Sequence, residues 1–196
     1  NEQLWVNANF AATNAPIIAK VRFADGSEWD SAAIDAHVIN ASGLKDTMTG
    51  GSGDDVFVVN NPNDVINEGV SQGTDTAYSS ATYYLDYAPN VENLTLTGSL
   101  NLSGYGNSLN NFIAGNSGNN TLCGRNGTDT LAGGLGDDTY ILNGPQTESL
   151  DGSGNFNPDA IIENAGEGID TVLNFAWSAQ LSANVENLYQ AGFEIG

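Results

Sequence analysis

The chain has very few basic side chains. Its 196 residues include 4 Lys plus Arg against 24 Asp plus Glu, a formal net charge of −20 at pH 7. A protein that binds the phosphate backbone of nucleic acid needs basic side chains to release counterions, so this class is excluded. An anionic membrane surface is disfavoured for the same reason. Solvent or bound cations must offset the mutual repulsion of so many acids in a compact fold.

Cysteine, histidine and long apolar runs are equally scarce. Cys123 is the single cysteine, which excludes a disulfide framework, and the chain has one histidine. With so few imidazole, thiol and basic groups we expect no catalytic residues in this chain, although a larger parent protein could carry an enzyme domain elsewhere. No run of about 20 apolar residues predicts a membrane span. The chain lacks an initiating Met and ends on what looks like the opening of another unit, so we expect a fragment of something larger.

What the chain does have is glycine at a regular spacing. Residues 115–141 form three consecutive nonapeptides close to G-G-x-G-x-D-x-U-x, in which U is a large apolar residue. Glycine permits the backbone angles of a tight turn, and x-U-x is a short strand that points U to one side. Two nonapeptides close one coil of eighteen residues, and coils stack at the strand spacing of about 4.8 Å. This predicts an all-β fold, a parallel β-roll or β-helix solenoid.

Ten units place a carboxylate or an amide two residues before an apolar side chain. The acid or amide positions are Asp46, Asp55, Asp64, Asp75, Asn111, Asn120, Asp129, Asp138, Asp159 and Asp170. An eighteen-residue coil should place each of these side chains above the one a coil earlier. The predicted stacks are Asp46 with Asp64, Asp55 with Asp75, Asn111 with Asp129, Asn120 with Asp138, Asp129 with Asp159, and Asp138 with Asp170.

Stacked oxygens at these turns favour one class of metal ion. Ca²⁺ takes six to eight oxygen ligands at about 2.3–2.6 Å in tolerant geometry, which two rows of carboxylates and turn carbonyls can supply. Mg²⁺ is disfavoured by its demand for a small octahedron, and Zn²⁺ by the lack of imidazole and thiolate. The alternative for each Asp is a turn residue that accepts a hydrogen bond from its own backbone. Several Ca²⁺ ions are therefore predicted.

The nonapeptide resembles the hemolysin-type calcium-binding repeat of the repeats-in-toxin (RTX) family. The resemblance implies that the Asp of G-G-x-G-x-D and the backbone of its turn hold Ca²⁺ between coils. Two turns keep the complete motif: Gly50, Gly51 and Gly53 before Asp55, and Gly133, Gly134 and Gly136 before Asp138. Arg125 replaces the second glycine before Asp129, and Asp46 and Asp64 lie in degenerate turns. Asn111 and Asn120 offer an oxygen without charge, so their sites should be weaker or empty.

Four glutamates recur at matching places in the two arrays. Glu68 and Glu163 each lie five residues before a Gly-x-Asp turn, where they could join a metal site or face solvent. Glu92 and Glu186 are expected to face solvent. A longer duplication links the arrays, and the second copy holds an insertion of twelve residues within 144–157 with the composition of a surface loop.

Three segments are predicted along the chain. Residues 1–40 form an N-terminal cap for the first open edge, with a strand over 17–23, a turn over 24–27, a return at Glu28-Trp29, and a short helix from Asp30 or Ser31 through Ala36 or Ile39. Residues 41–105 form the first array with its connecting strands. Residues 106–196 form the second array, a truncated copy of the first.

The RTX resemblance implies a function. Members are exported unfolded by type I secretion and fold on Ca²⁺ outside the bacterial cell, so this chain is interpreted as a secreted or cell-surface calcium-binding module of a larger protein. An adhesive or carbohydrate-binding module with purely structural calcium is the alternative, in which Tyr83, Tyr84 and Tyr87 would stack on the sugars of a cell-surface glycan. Those tyrosines could equally belong to the core. Neighbouring domains of the parent protein are the other expected partners.

Overall fold

The structure is a computed structural model that describes residues 5–10, 16–22, 28–30, 38–142, 150–151, 155–156, 159–175 and 182–190. Short strands dominate these ranges. They are β1 (Trp5–Phe10), β2 (Pro16–Arg22), β3 (Glu28–Asp30), β4 (Val38–Asn40), β5 (Thr47–Thr49), β6 (Val56–Val59), β7 (Val65–Asn67), β8 (Thr76–Ser79), β9 (Tyr83–Tyr84), β10 (Asn93–Leu96), β11 (Ser103–Tyr105), β12 (Phe112–Ala114), β13 (Thr121–Cys123), β14 (Thr130–Ala132), β15 (Thr139–Leu142), β16 (Leu150–Asp151), β17 (Asn155–Phe156), β18 (Ala160–Ile162), β19 (Thr171–Asn174) and β20 (Asn187–Gln190).

Two parallel sheets run along the molecule. One has seven strands in the order β18-β14-β12-β10-β8-β6-β4, and the other has six in the order β20-β19-β15-β13-β11-β9. Strands β5 and β7 form a separate parallel pair. Successive strands of the chain mostly alternate between the two faces, because each turn of about six residues reverses the chain. The predicted all-β parallel solenoid is confirmed, with about 7 turns.

The strand register confirms the eighteen-residue coil. Leu122 pairs with Tyr140, eighteen residues later. Phe57 pairs with Ala77, which absorbs the two extra residues of that coil. Leu131 pairs with Ile161 across the insertion. The described part of the insertion is a small antiparallel pair, β16 with β17, so the coils on either side stack without interruption.

The apolar U positions build the core between the two sheets. Strands show alternate burial, as in β6 and β15 where every second side chain points inward. The U residues in this core are Met48, Phe57, Ile66, Ala77, Ile113, Leu122, Leu131, Tyr140 and Val172, with Ile161 packed against them. Burial of one apolar side chain per half coil stabilises the solenoid against the conformational entropy of a glycine-rich chain.

The N-terminal segment agrees with prediction only in part. Strands β1, β2 and β3 form an antiparallel sheet, and Val21 pairs with Trp29, so the predicted strand and its return are present. The turn at 24–27 and residues 31–37 of the predicted helix lie outside the described residues. Val38 and Ile39 are in β4, so extending the helix to them was wrong. Their backbone pairs with Val56 and Phe57 of the next coil, which satisfies groups that a helix would otherwise bond internally.

Helix is nearly absent from the part of the chain described. A single 3₁₀ turn, Leu85–Tyr87, is present there. None of the described helical segments has the length and apolar composition needed to cross a membrane.

Leu131→Ala should lower the free energy of unfolding by about 2–5 kcal/mol, because the side chain is fully buried between the coils of Ile113 and Ile161. Urea denaturation in millimolar Ca²⁺ measures the change. Val70→Ala is the control, since Val70 is 79% exposed and its truncation should change stability by less than about 0.5 kcal/mol. Equal effects of the two variants would contradict the assignment of the U positions to the core.

Candidate metal sites

In each predicted stack the second side chain points into the turn and accepts a hydrogen bond from the coil before it. The backbone N–H of the first residue of each predicted stack donates to Oδ1 of the second, at N···O distances between 2.6 and 3.0 Å. All six predicted stacks are therefore confirmed as contacts, namely Asp46 with Asp64, Asp55 with Asp75, Asn111 with Asp129, Asn120 with Asp138, Asp129 with Asp159, and Asp138 with Asp170. This series of hydrogen bonds between successive coils, termed the ladder, holds the carboxylates inside the turns rather than in solvent.

The stacks lie along two edges of the roll. On one edge each acid or amide precedes a strand of the seven-stranded sheet: Asp55, Asp75, Asn111, Asp129 and Asp159. On the other edge each precedes β5, β7 or a strand of the six-stranded sheet: Asp46, Asp64, Asn120, Asp138 and Asp170. The two complete G-G-x-G-x-D turns consequently lie on opposite edges.

The first edge contains a cluster of three buried carboxylates, termed the first triad: Asp55, Glu68 and Asp75. One oxygen of each lies within 4.8 Å of the others. The side chains are 2%, 7% and 1% exposed. Asp55 Oδ2 accepts a hydrogen bond from the Gly51 N–H at 2.7 Å. Glu68 Oε2 and Asp75 Oδ2 are buried without a hydrogen-bond partner. Unpaired carboxylate oxygens in this environment are strongly unfavourable unless a cation or proton reaches them.

The other edge contains the matching cluster, the second triad: Asp138, Glu163 and Asp170. Its oxygens also lie within 4.8 Å of one another, and Asp138 Oδ2 and Glu163 Oε2 have no hydrogen-bond partner. Glu163 differs from its counterpart because the Tyr140 hydroxyl donates a hydrogen bond to Oε1. The same hydroxyl accepts a hydrogen bond from the Gly133 N–H at 2.7 Å.

The motif glycines make room for these carboxylates. A side chain at Gly50 would collide with the Glu68 carboxylate, and one at Gly133 would collide with Asp138 and the Tyr140 hydroxyl. Gly53 and Gly136 have φ angles of 116° and 117°, a region that side chains strongly disfavour. Gly134 likewise has φ of 87°, and Gly51 supplies the N–H that Asp55 accepts. The structure thus places all six predicted motif glycines around the triads.

Burial disfavours the charged form of these acids. It raises the pKa of Asp75 and Asp138 to about 6, and that of Glu163 to about 7. Backbone or phenolic donors lower each pKa in part, and neighbouring carboxylates raise it further. Asp129 reaches a pKa of about 7, again mainly through burial. Burial also raises the pKa of the Tyr140 hydroxyl, which therefore stays protonated.

The remaining predicted acids form pairs rather than triads. Asp64 accepts hydrogen bonds at Oδ1 from Asp46 N–H and at Oδ2 from the N–H groups of Asn60 and Asn61, the hydrogen bonding expected of a turn residue. Asp129 Oδ2 is buried without a partner, opposite Asp159. Among the described residues, neither pair has a third carboxylate in a cluster. Asp129 with Asp159 is the better cation site of the two because it keeps an unpaired oxygen.

The side-chain amides of Asn111 and Asn120 are hydrogen-bonded within the protein without a cation. The Asn111 amide nitrogen donates to the carbonyls of Val91 and Glu92 at 3.3 and 3.1 Å. The Asn120 amide nitrogen donates to the Leu102 carbonyl at 3.3 Å and to Asn116 Oδ1 at 3.0 Å. Both side-chain oxygens also accept a backbone N–H. The amide hydrogens already bond to carbonyl oxygens that could otherwise bind a cation. Calcium sites at Asn111 and Asn120 are therefore expected to be weak or empty.

Two glutamates extend the ladders, which the sequence interpretation missed. Glu92 Oε2 accepts a hydrogen bond from Asp75 N–H, and Glu186 Oε2 accepts one from Asp170 N–H, each at 2.8 Å. Glu92 is half-buried, so its predicted solvent-facing position was wrong, whereas Glu186 is exposed. Both lie two residues before an apolar Leu, the same spacing as the repeat acids, and that signal could have identified them.

The tyrosines proposed as a sugar platform do not share one surface. Tyr83 is fully buried, and its hydroxyl donates to the Asp64 carbonyl at 3.0 Å. Tyr84 is stacked on Tyr105, with ring centroids 4.4 Å apart. Tyr87 is 43% exposed. Of the two roles left open by the sequence, surface or core, Tyr83 therefore has the core role.

Comparison with known proteins agrees with this geometry. A family model of the RTX calcium-binding nonapeptide repeat matches four copies, over residues 40–67 and 105–140. No curated protein and no solved structure matched the chain. The fold and its turns define a parallel β-roll. The four repeats within it fit an RTX protein, whose repeats are of the calcium-binding type.

The residues present fit a Ca²⁺ ion. Each triad offers three carboxylates, two of which have a buried oxygen with no hydrogen-bond partner, and all donors are oxygen. Asp55, Glu68 and Asp75 would hold one ion, and Asp138, Glu163 and Asp170 another. Glu68, Asp75, Glu163 and Asp170 lie outside the matched repeats, so the family model does not identify them. The repeat spacing predicted Asp75 and Asp170, and the structure brings Glu68 and Glu163 to them.

Without Ca²⁺, the free energy of unfolding should decrease as the pH rises from about 4 to about 7. The raised pKa values mean that the folded state binds more protons than the unfolded state in this window, so unfolding becomes easier as protons leave. Urea denaturation across the pH range measures this. Millimolar Ca²⁺ should abolish the decrease. Stability that instead rises with pH in the metal-free protein would show that the carboxylates are not desolvated.

Asn120→Asp should destabilise the metal-free protein by about 1–3 kcal/mol, because a carboxylate would face the Leu102 carbonyl where an amide now donates. Added Ca²⁺ should restore most of that loss. Asn119→Asp is the matched control, because Asn119 uses only its Oδ1 toward Asp137 N–H, and an aspartate keeps that oxygen. Thermal melts with and without Ca²⁺ compare the two at about pH 5, where the raised pKa values leave the metal-free protein more stable than at neutral pH. Equal destabilisation of both variants would contradict the role given to the Asn120 amide.

Proposed function

We propose that this chain is a calcium-dependent folding module of a larger secreted bacterial protein, and that it acquires its fold on binding Ca²⁺ outside the cell. One observation carries the proposal. Each triad buries three carboxylates within 4.8 Å and leaves two of their oxygens without a hydrogen-bond partner, in a chain of net charge −20. A divalent cation is the ligand that removes this cost for both oxygens at once.

The mechanism is thermodynamic linkage. The unfolded chain has no preformed triad, since the three ligands of each lie on two successive turns. Glu68 and Asp75 begin and end one turn, and Asp55 ends the neighbouring turn on the same edge, one coil earlier. Ca²⁺ therefore binds the folded coil far better than the unfolded chain, and its binding energy becomes folding energy. Low Ca²⁺ inside the cell would keep the chain unfolded for export.

We further infer that the module itself is not catalytic. Its composition offers few groups for acid–base or nucleophilic chemistry, and the buried acids already serve the triads. An adhesive module remains the second candidate, supported by the exposed Tyr87 beside the Tyr84–Tyr105 stack. Glycan-array binding that survives Tyr87→Ala would remove this support.

The central test is a Ca²⁺ titration followed by far-UV circular dichroism and sedimentation. The metal-free chain should be expanded and largely unfolded at pH 7.5, and it should fold with a midpoint of about 10⁻⁴–10⁻³ M, the range of extracellular calcium modules. A chain that is fully folded in excess chelator would contradict the proposal, as would a midpoint in the nanomolar range.

Two double variants distinguish the loss of a calcium ligand from the loss of negative charge. Asp75→Asn with Asp170→Asn should shift the midpoint at least about tenfold higher, because each triad loses one charged ligand. Asp54→Asn with Asp137→Asn removes the same charge from the turns that carry the other triad aspartates, Asp55 and Asp138. Those exposed residues use one oxygen to accept the N–H groups of Thr74 and Ile169, which asparagine can also do. Equal shifts for the two double variants would indicate general electrostatic repulsion instead.

A further inference from the structure

The stretch of chain between the two triads has a different hydrogen-bond chemistry. Residues 76–123, termed the central segment, run from β8 to β13 and hold two of the chain's 24 acids, Asp86 and Glu92. The buried carboxylate oxygens that lack a hydrogen-bond partner all lie outside it among the described residues, at Glu68, Asp75, Asp129, Asp138 and Glu163. Within this fully described segment, no buried side-chain oxygen therefore needs a cation.

On the first edge, an asparagine joins two successive turns through its side-chain amide. Asn107 lies at the second position of its nonapeptide, four residues before Asn111, and its side chain is buried. Its amide nitrogen donates to the carbonyls of Ala88 and Val91 at 3.1 and 2.9 Å, and both carbonyls lie in the preceding turn on this edge. The Asn107 N–H donates to Asn111 Oδ1 at 2.9 Å. Neutral donors thus pair the carbonyls of this turn.

On the other edge, Asn116 makes the equivalent contacts. It lies four residues before Asn120 and is also buried. Its amide nitrogen donates to the carbonyls of Thr97 and Leu100 at 3.1 and 3.0 Å, again in the preceding turn on the same edge. The Asn116 N–H donates to Asn120 Oδ1 at 2.8 Å. Amide hydrogen bonds therefore join successive turns on both edges of the central segment without a carboxylate.

Apolar packing is concentrated in the same segment. It supplies 11 of the 19 buried apolar side chains found in the described residues. They are Ala77, Tyr83, Leu85, Ala88, Val91, Leu94, Leu96, Leu102, Ile113, Leu122 and Cys123. Burial of apolar surface stabilises a fold whether or not an ion is bound. The central segment thus combines more than half of this core with turns that are satisfied by the protein itself.

We infer that the central segment keeps its fold without Ca²⁺, and that the arrays on either side fold onto it when the ion binds. The amides of Asn107 and Asn116 satisfy turn carbonyls in the metal-free chain, whereas each triad keeps buried unpaired carboxylates until a cation reaches them. The need of the arrays for Ca²⁺ is part of the proposed function, on which this inference rests.

A folded central segment would present a strand edge to each array. Strand β8 pairs with β6, which follows the first triad's Asp55, and β13 pairs with β15, which follows the second triad's Asp138. In a solenoid each coil contacts only its neighbours, so folding can propagate outward from a formed coil. Ca²⁺ binding would then add coils to an existing edge instead of starting a new fold.

Hydrogen–deuterium exchange of the full chain at pH 7.5, in chelator and in millimolar CaCl₂, tests this inference. In chelator the backbone amides of β10 and β11 should exchange at least about tenfold more slowly, relative to their intrinsic rates, than those of β6 and β15. The reason is that both neighbouring strands of β10, and both of β11, lie within the central segment. In CaCl₂ all four strands should be protected.

Two double variants test the role of the asparagines. Asn107→Asp with Asn116→Asp should abolish the slow exchange of β10 and β11 in chelator, because each carboxylate would face two carbonyls that now accept an amide. Asn101→Asp with Asn110→Asp is the matched control, which adds the same charge to the same segment. Each of these exposed asparagines accepts one backbone N–H at Oδ1, which an aspartate also can. The control should exchange within about threefold of the unmodified chain.

The outcomes separate this inference from the proposed function. Fast exchange of all four strands in chelator, with protection in CaCl₂, would overturn the inference and leave the proposed function standing. Slow exchange of β10 and β11, with β6 and β15 unprotected even in CaCl₂, would support the inference and refute the proposed function. Uniformly slow exchange in chelator would overturn both. Equal effects of the two double variants would also overturn the inference, because the amide contacts would then have no particular role.

Discussion

The hydrogen bond from a backbone N–H to the carboxylate one coil later is the interaction on which the rest of the structure depends. It recurs at all six repeat stacks, at 2.6–3.0 Å, and fixes each acid inside its turn. One oxygen satisfies the backbone, which leaves the second to find another partner. Where that partner is a backbone N–H group, as for Asp64, the stack is complete without metal. Where it is only another carboxylate, a cation is needed.

Some turns of the roll therefore need a cation and others do not. Asp64 finds turn N–H groups for its second oxygen, and Asn111 and Asn120 carry their own donors. Asp75 and Asp138 find none, and a glutamate from the same or the next turn adds a further unpaired oxygen. The triads therefore arise where the duplication places glutamate at the position of the first motif glycine. Because the copies are offset by an odd number of half coils, from β6 to β15, they fall on opposite edges.

Much of the fold was predictable because the repeat sequence determines the geometry of each coil. A nonapeptide with one apolar residue fixes the strand, the turn and the coil length, and the pairing of Leu122 with Tyr140 follows. The insertion does not disturb the register of the coils. Allowing for the inserted residues predicted the stack of Asp138 with Asp170, and the structure contains it. The helix predicted up to Ile39 was wrong there because helical spacing of a few apolar residues cannot reveal pairing with a neighbouring coil.

The candidate sites were only partly predictable. Spacing identified the aspartates, but the burial of Glu68 depends on Gly50 at the facing position of the adjacent coil, and Glu163 is buried where the Tyr140 hydroxyl donates to it. Glu92 kept the repeat spacing, and its length let it reach the ladder although it was expected in solvent. Anomalous scattering from crystals grown in millimolar Ca²⁺ tests the central claim most directly. The account predicts calcium peaks at both triads and none at Asn111 or Asn120, and triads that hold only water would contradict it.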